Sequence, residues 1–342
     1  MGSTFFRKLP TPKEVKEEFP IPEKIAKKKA ENDETIKKIF TGEDNRFCVI
    51  VGPCSADNLD AVLDYTERLA RVQEEIKDKV FIIPRIYTNK PRTTGKGYKG
   101  MLHQPDPEKK PDLYKGLLSI REMFVSVMDR TGFPIADEML YPENTRYFTD
   151  CLSYVAIGAR SVEDQQHRLT ASGLNIPVGM KNPTSGDWSV MLNSIEAAQS
   201  KHHFLFRGWE VETTGNPLAH AILRGYVNKH GQAIPNYHYE DILNLHYRYA
   251  KGDYLNPSII IDCNHSNSNK QYKEQIRIAK EVMHNRNISD DMKKFVRGLM
   301  IESYIEEGRQ NVDEHVYGKS ITDPCLGWDD TDYLLKKIAD EV

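Results

Sequence analysis

The chain has 342 residues, 39% hydrophobic and 28% charged, with 47 basic and 50 acidic side chains and a formal charge of −3. That is globular composition with enough apolar residues for a large core. It excludes a chain with the basic excess of a nucleic-acid binder, and no apolar run is long enough to span a bilayer.

The N-terminus carries charges and prolines where a signal peptide needs an apolar run, and Phe6 stands where a myristoylation motif wants Ser or Thr. Five scattered cysteines with no CxxC pair fit a reduced, cytoplasmic setting better than a disulfide framework.

Residues 1 to about 45 read as an N-terminal arm. Pro10, Pro12, Pro20 and Pro22 keep its first part extended, and a charged helix is predicted from Glu23 to Phe40, closed by Thr41-Gly42. Ile25, Ile36, Ile39 and Phe40 are too few apolar positions for a core helix. The arm is therefore expected to lie on another surface, such as a neighbouring subunit, and to serve assembly and regulation.

From Arg46 onward strands and helices alternate. Strands are predicted at Phe47–Val51, Val80–Ile83, Phe133–Ala136, Tyr154–Ile157, Ile176–Met180, His203–Phe206, Ile259–Ile261 and Phe295–Ile301. Helices are predicted between them, among them Asp57–Ile76 with an apolar face of Leu59, Val62, Leu63, Leu69, Val72 and Ile76. An irregular segment through Arg224 precedes a helix at Tyr239–Tyr249, and a last helix spans Asp329–Val342. About eight strand–helix units imply a parallel sheet with helices outside, and fit a closed (β/α)₈ TIM barrel over residues 46–342. An open doubly wound sheet is the alternative.

In such a barrel chemistry sits at the C-terminal strand ends. Cys54, Arg85, Glu138, Arg160, Lys181, His265 and Glu302 stand there, with Lys90, Arg92, Arg224 and Asp323 in loops of the same face. They divide into two groups. Cys54, His265, Glu302 and Asp323 offer a thiolate, an imidazole and two carboxylates to one divalent metal, with Mn, Fe, Co or Zn suited better than Mg or Ca. Each also has an ordinary structural role, as a buried small hydrophobe, a salt-bridge partner or a cap. Arg85, Lys90, Arg92, Arg160, Lys181 and Arg224 make a cationic pocket for a small, multiply charged, phosphorylated anion. Gly95-Lys96-Gly97-Tyr98-Lys99-Gly100 matches G-x-G-x-x-G but lacks the strand before and helix after that a dinucleotide site needs. It reads as a loop that approaches substrate.

Gly52-Pro53-Cys54-Ser55, Lys90-Pro91-Arg92-Thr93-Thr94, Gly158-Ala159-Arg160, Gly179-Met180-Lys181-Asn182, His220-Ala221-Ile222-Leu223-Arg224-Gly225, Asp262-Cys263-Asn264-His265-Ser266-Asn267, Met300-Ile301-Glu302-Ser303 and Gly318-Lys319-Ser320-Ile321-Thr322-Asp323 follow in order. With them the sequence resembles the type I 3-deoxy-D-arabino-heptulosonate 7-phosphate (DAHP) synthases, of the larger microbial subclass with an N-terminal arm.

The resemblance implies condensation of phosphoenolpyruvate with erythrose 4-phosphate and water to DAHP and phosphate, the entry to the shikimate pathway of aromatic amino acid biosynthesis. It implies that Cys54, His265, Glu302 and Asp323 ligate the metal. Arg85, Lys90, Arg160, Lys181 and Arg224 would hold phosphoenolpyruvate, Arg92 and Thr93 the phosphate of erythrose 4-phosphate, and Glu138 a water. Lys90, Glu138, Lys181 and His265 are then the candidate catalytic groups. An aromatic amino acid effector and a homodimer or homotetramer are expected. A 3-deoxy-D-manno-octulosonate 8-phosphate synthase and a non-catalytic amino-acid sensor on the same barrel are the alternatives.

Overall fold

The computed structural model describes residues 2–92 and 94–342. Thr93, expected at the acceptor phosphate, lies outside the described residues. Two helices, α1 (Pro12–Glu18) and α2 (Glu23–Thr41), precede β1 (Phe47–Gly52). Then come α3 (Leu59–Ile76), β2 (Val80–Pro84), α4 (Leu113–Thr131), β3 (Ile135–Glu138), α5 (Pro142–Phe148), β4 (Leu152–Ile157), α6 (Gln165–Ser172), β5 (Val178–Lys181) and α7 (Trp188–Gln199).

The second half holds β6 (His203–Phe206), β7 (Trp209–Glu212), β8 (Ala219–Leu223), β9 (Tyr226–Val227), β10 (Ala233–Ile234), α8 (Tyr239–Tyr249), β11 (Ile259–Asp262), α9 (Glu274–Arg286) and α10 (Asp290–Phe295). It closes with β12 (Val296–Glu302), β13 (Glu306–Arg309), β14 (Lys319–Ser320) and α11 (Trp328–Glu341).

Eight parallel strands pair in the order β2-β1-β12-β11-β8-β5-β4-β3. A parallel bridge between Arg85 and Ala136 and the Ile86 N–H to Ala136 O bond of 2.8 Å bring the two outer strands together. The result is a nearly closed barrel with helices between successive strands. Strands buried on both faces account for the continuous apolar runs, as in Ile259-Ile260-Ile261. Helices begin at side-chain caps: Asn58 accepts from the Ala61 N–H ahead of α3, and Asp112 from the Lys115 N–H ahead of α4.

The core has two parts. One lies between strands and outer helices. The other fills the barrel, with Cys48, Ile50, Ile83, Ala156, Ile260 and Met300 from the strands and Ile36, Ile39 and Phe40 from α2.

The arm differs from expectation. Pro12 does not keep the chain extended but stands at the start of α1, where its missing N–H costs nothing, and Thr11 and Glu14 form a capping box. The predicted arm helix is present as α2, ended by Gly42 at φ 85°. Its few apolar residues are spent on this chain's own barrel. The Phe40 ring lies 4.4 Å from that of His220 and 6.1 Å from that of Tyr154, so α2 stoppers the end of the barrel where the strands begin.

The sixth barrel strand is also not where periodicity put it. His203–Phe206 does form a strand, but it pairs antiparallel with β7 in a separate two-stranded sheet. That hairpin exposes Leu205 and Trp209, at 75% and 74%. The barrel strand is β8, inside the stretch read as irregular. Arg224 therefore stands at a strand end and not in a loop.

Candidate active site

At the C-terminal ends of the strands a cavity of about 160 Å³ is lined by Cys54, Arg85, Lys90, Arg92, Glu138, Arg160, Lys181, Arg224, His265 and Asp323, together with Lys270 and Thr322. Glu302 is fully buried behind them. Barrel closure explains how residues so distant in sequence meet. β1 and β12 are neighbours with Gly52 opposite Glu302, which puts Cys54 next to that carboxylate. The chain returns through a bridge between Ser303 and Leu326, and Ser320 Oγ donates to Asp323 O at 2.8 Å, fixing the Asp323 loop.

Cys54, Glu302 and Asp323 each offer a ligand atom within 4.8 Å of the other two. His265 lies outside that group of three, although its Nε2 comes to 3.8 Å from Glu302 Oε1. It sits at φ 55°, a left-handed conformation that costs a non-glycine residue energy and recurs at functional positions. The turn is held by Asn267 Nδ2 donating to Asp262 O at 2.8 Å and by the Lys270 N–H donating to His265 O at 2.8 Å. His265 Nδ1 lies 2.8 Å from Asp262 Oδ2 but is poorly aligned for a hydrogen bond: among the described residues neither atom has a hydrogen-bond partner.

The donor set fits a divalent ion. Lys90 Nζ lies 3.0 Å from Cys54 Sγ, so an ammonium stands beside the thiol where a cation belongs. Burial, then the Glu302 charge, pushes the Cys54 thiol up. Burial works against Glu302 ionising, but Arg85, His265 and Lys90 outweigh it and hold the carboxyl below its usual range. Burial lowers the pKa of His265, despite the Asp262 charge, which favours the neutral imidazole that ligates metal. Burial likewise opposes the Lys90 charge, and Cys54 and Glu302 together outweigh it.

The cations are not equally free. Arg85 is 1% exposed. Its Nη2 donates to Glu302 Oε1 at 2.7 Å and its Nε to Pro53 O at 3.2 Å, and its guanidinium lies 3.8 Å from the Tyr87 ring centroid. Lys181 Nζ lies 3.4 Å from Asp262 Oδ2 and 3.8 Å from Glu138 Oε2. Arg92 Nε donates to Tyr98 O at 2.7 Å, which ties it to the glycine loop. Arg224 Nη1 donates to Ser266 Oγ at 3.4 Å. Arg160 is exposed at the rim. Gly158 is required beside Glu138: a Cβ there would stand 2.6 Å from Glu138 Oε1.

Sequence reasoning passed over four groups. Asp262 faces both Lys181 and His265. Asn264 Nδ2 donates to Glu302 Oε2 at 2.6 Å. Lys270 pairs with Asp323 at 3.1 Å, and Tyr87 carries the Arg85 guanidinium. Two were visible in principle: Asp262 is the last residue of its strand, three before His265, and Tyr87 follows Arg85 at the two-residue spacing that shares a face.

The model of the DAHP synthetase I family matches residues 21–336. The chain is 37% identical to the Tyr-sensitive phospho-2-dehydro-3-deoxyheptonate aldolase of Escherichia coli, over 98% of this chain and 93% of that one. It is 38% identical to the Phe-sensitive enzyme of the same organism, over 98% and 95%. A solved structure of phospho-2-dehydro-3-deoxyheptonate aldolase from Francisella tularensis matches with a TM-score of 0.92 at 31% identity, covering 100% of this chain and 98% of that one.

Proposed function

The chain belongs to the DAHP synthetase I family, and from that premise we propose how its barrel mouth carries out the family reaction. The reaction is the condensation of phosphoenolpyruvate with erythrose 4-phosphate and water, giving DAHP and phosphate. The observation that carries the assignment of roles is the meeting of the Cys54–Glu302–Asp323 cluster with seven cationic side chains at one barrel mouth.

Phosphoenolpyruvate lies against Lys90, Arg160, Lys181 and Arg224. Arg85 contributes by its charge, since its fork already holds Glu302. Arg92 and Thr93 take the phosphate of the acceptor. Two anions that repel in water are thereby fixed side by side, so much of the rate gain is positioning. The enol carbon attacks the aldehyde carbon, and water adds to the neighbouring carbon as positive charge develops there. The resulting hemiketal phosphate then releases inorganic phosphate. Glu138 orients that water, with Gly158 leaving room beside its carboxylate. Lys181, set between Glu138 and Asp262, acts as an ion-pair cation and not as an imine-forming amine.

Cys54, His265, Glu302 and Asp323 would hold one divalent ion of the Mn, Fe, Co or Zn type, which supplies a Lewis acid for the aldehyde oxygen. Asp262 and Asn264 steady the inner ligands His265 and Glu302. The test is phosphoenolpyruvate consumption with both substrates, with and without chelator. Full activity in excess chelator, with no bound metal by elemental analysis, would contradict the metal assignment.

An aromatic amino acid fits a second cleft, of about 530 Å³, where α5, α6 and the β6–β7 hairpin meet the arm. Phe204, Phe206 and Leu174 supply apolar walls, Arg146 and Arg207 face a carboxylate, and Pro12 closes it from the arm. α5 follows Glu138 by only a few residues, so an occupant there acts on the strand end that holds the water. The arm, residues 1–45, serves assembly and this control. Phe5 and Phe6 are exposed at 94% and 93%, as befits side chains that seat on another subunit. Removing residues 1–10 is expected to shrink the oligomer in sedimentation and blunt inhibition by the effective amino acid. An unchanged, fully inhibitable oligomer would refute this role.

A further inference from the structure

The opposite end of the barrel, where the strands begin, carries an unassigned cleft. It has a volume of about 680 Å³ and is lined by seven Lys and Arg side chains against three Asp. In a chain of net charge −3 that excess is local. Two of the cations are already satisfied, Arg46 by Asp44 and Lys77 by Glu74. Lys79 Nζ donates to Ala339 O at 3.0 Å and Lys293 Nζ to Val342 O at 3.5 Å, at the end of α11, whereas Arg286, Lys294 and Arg297 form no ion pair within 4.0 Å among the described residues.

The arginines are built in. Arg286 is 3% exposed. Its Nε donates to Val296 O at 3.2 Å and its Nη1 to Asn287 Oδ1 at 3.4 Å, and its guanidinium lies 4.9 Å from the Phe47 ring centroid. Arg297 Nε is buried with no hydrogen-bond partner among the described residues. Burial lowers Arg286 to about 10, with the Arg297 charge adding to the effect. A buried guanidinium without a counter-ion is expensive, and a fork-shaped donor pair suits phosphate oxygens. The cleft is roomier than one phosphate needs.

We propose that this cleft is a second anion site, taking a di- or polyphosphate group between Arg286, Arg297 and the lysines at 79, 293 and 294. It lies beside Asp44–Arg46, where the arm enters β1, so its occupant would bridge the arm and the barrel floor.

Equilibrium dialysis of the full chain with labelled pyrophosphate, at constant ionic strength, tests the site. Arg92→Ala with Arg160→Ala disables the mouth; Arg297→Gln with Lys293→Gln disables the floor. The mouth variant is expected to keep one pyrophosphate per chain with Kd below about 1 mM. The floor variant should lose that site, at least about tenfold in affinity, while kcat and both KM values stay within about twofold. A nucleoside triphosphate titrated in parallel identifies the source: equal affinity means free polyphosphate, tighter binding a nucleotide.

Binding by the mouth variant weaker than about 10 mM, an adventitious ion only, would overturn the proposal. So would undiminished binding by the floor variant. Should the double variant fail to fold, Lys294→Gln alone must still weaken pyrophosphate about threefold, and no change would equally overturn it.

Discussion

Arg92 and Lys181 line one cavity but hold different things. Among the described residues Arg92 is anchored only to a backbone oxygen of the glycine loop, whereas Lys181 is enclosed by two carboxylates. Arg92→Ala is therefore expected to raise the KM for erythrose 4-phosphate roughly 10- to 100-fold, the worth of a charged hydrogen-bonded contact. The KM for phosphoenolpyruvate should move far less. Equal effects in steady-state kinetics would show that Arg92 does not read the acceptor.

The metal cluster makes a second, independent demand. Burial and the Glu302 carboxylate push the Cys54 thiol up, so a metal binds by displacing a proton. Below the thiol pKa, affinity should fall about tenfold for each unit the pH drops, measured by chelator competition. Asp323→Ala or Cys54→Ala should abolish metal content and activity while circular dichroism remains that of the intact barrel. Metal binding independent of pH would mean that the thiol is not a ligand.

Among the elements, the alternation of strands and helices was legible because buried parallel strands have continuous apolar runs and amphipathic helices do not. β11 and β12 stand within a residue or two of their predicted bounds for that reason. Sheet membership was not legible. His203-Phe204-Leu205-Phe206 has strand chemistry and is a strand, but nothing in four residues says whether the partner is the barrel or a hairpin. Ala219-His220-Ala221-Ile222-Leu223 was missed because small residues and a histidine mask a fully buried strand.

The site residues could be named from strand ends alone. The pairings could not, since Asp262 to Lys181 and Asn264 to Glu302 depend on strand order and side-chain direction. The role of α2 was hidden for a similar reason: its apolar positions are few, yet Ile36, Ile39 and Phe40 enter one small opening. Phe40→Ala should cost roughly 3–5 kcal/mol by denaturant titration, against well under 1 kcal/mol for an exposed substitution on the same helix. A loss below about 1 kcal/mol would mean that α2 does not seal the barrel.

For the molecule as a whole, the barrel interior carries a polar pair that links stability to pH. Tyr154 O–H and His220 Nε2 stand 2.8 Å apart, and His220 Nδ1 donates to Leu218 O at 2.9 Å. Burial lowers His220 to about 4, while the unfolded chain has an ordinary histidine. The unfolded state binds the extra proton between those values, so stability from this group is fully present above about pH 6.5 and is lost as pH falls toward 4. The integrated loss is roughly 3 kcal/mol. Unfolding free energies of wild type and His220→Gln, measured from pH 7 to 4, should converge toward acid. Parallel profiles would show that His220 is not neutral in the fold.

The stopper formed by Phe40 sets a timetable for folding. Its ring waits for Tyr154 and His220, more than a hundred residues further along the chain, and β1 cannot find its second neighbour until β12 has been made. During synthesis the first helices therefore emerge with Ile36, Ile39 and Phe40 unsheltered, and the barrel closes only near the end. Such contacts, made across long stretches of chain, slow folding and lengthen exposure to aggregation. They also form late. Phe40→Ala should accordingly leave the refolding rate nearly unchanged and accelerate unfolding, so that the stopper acts less as a guide to the native state than as a latch on its exit.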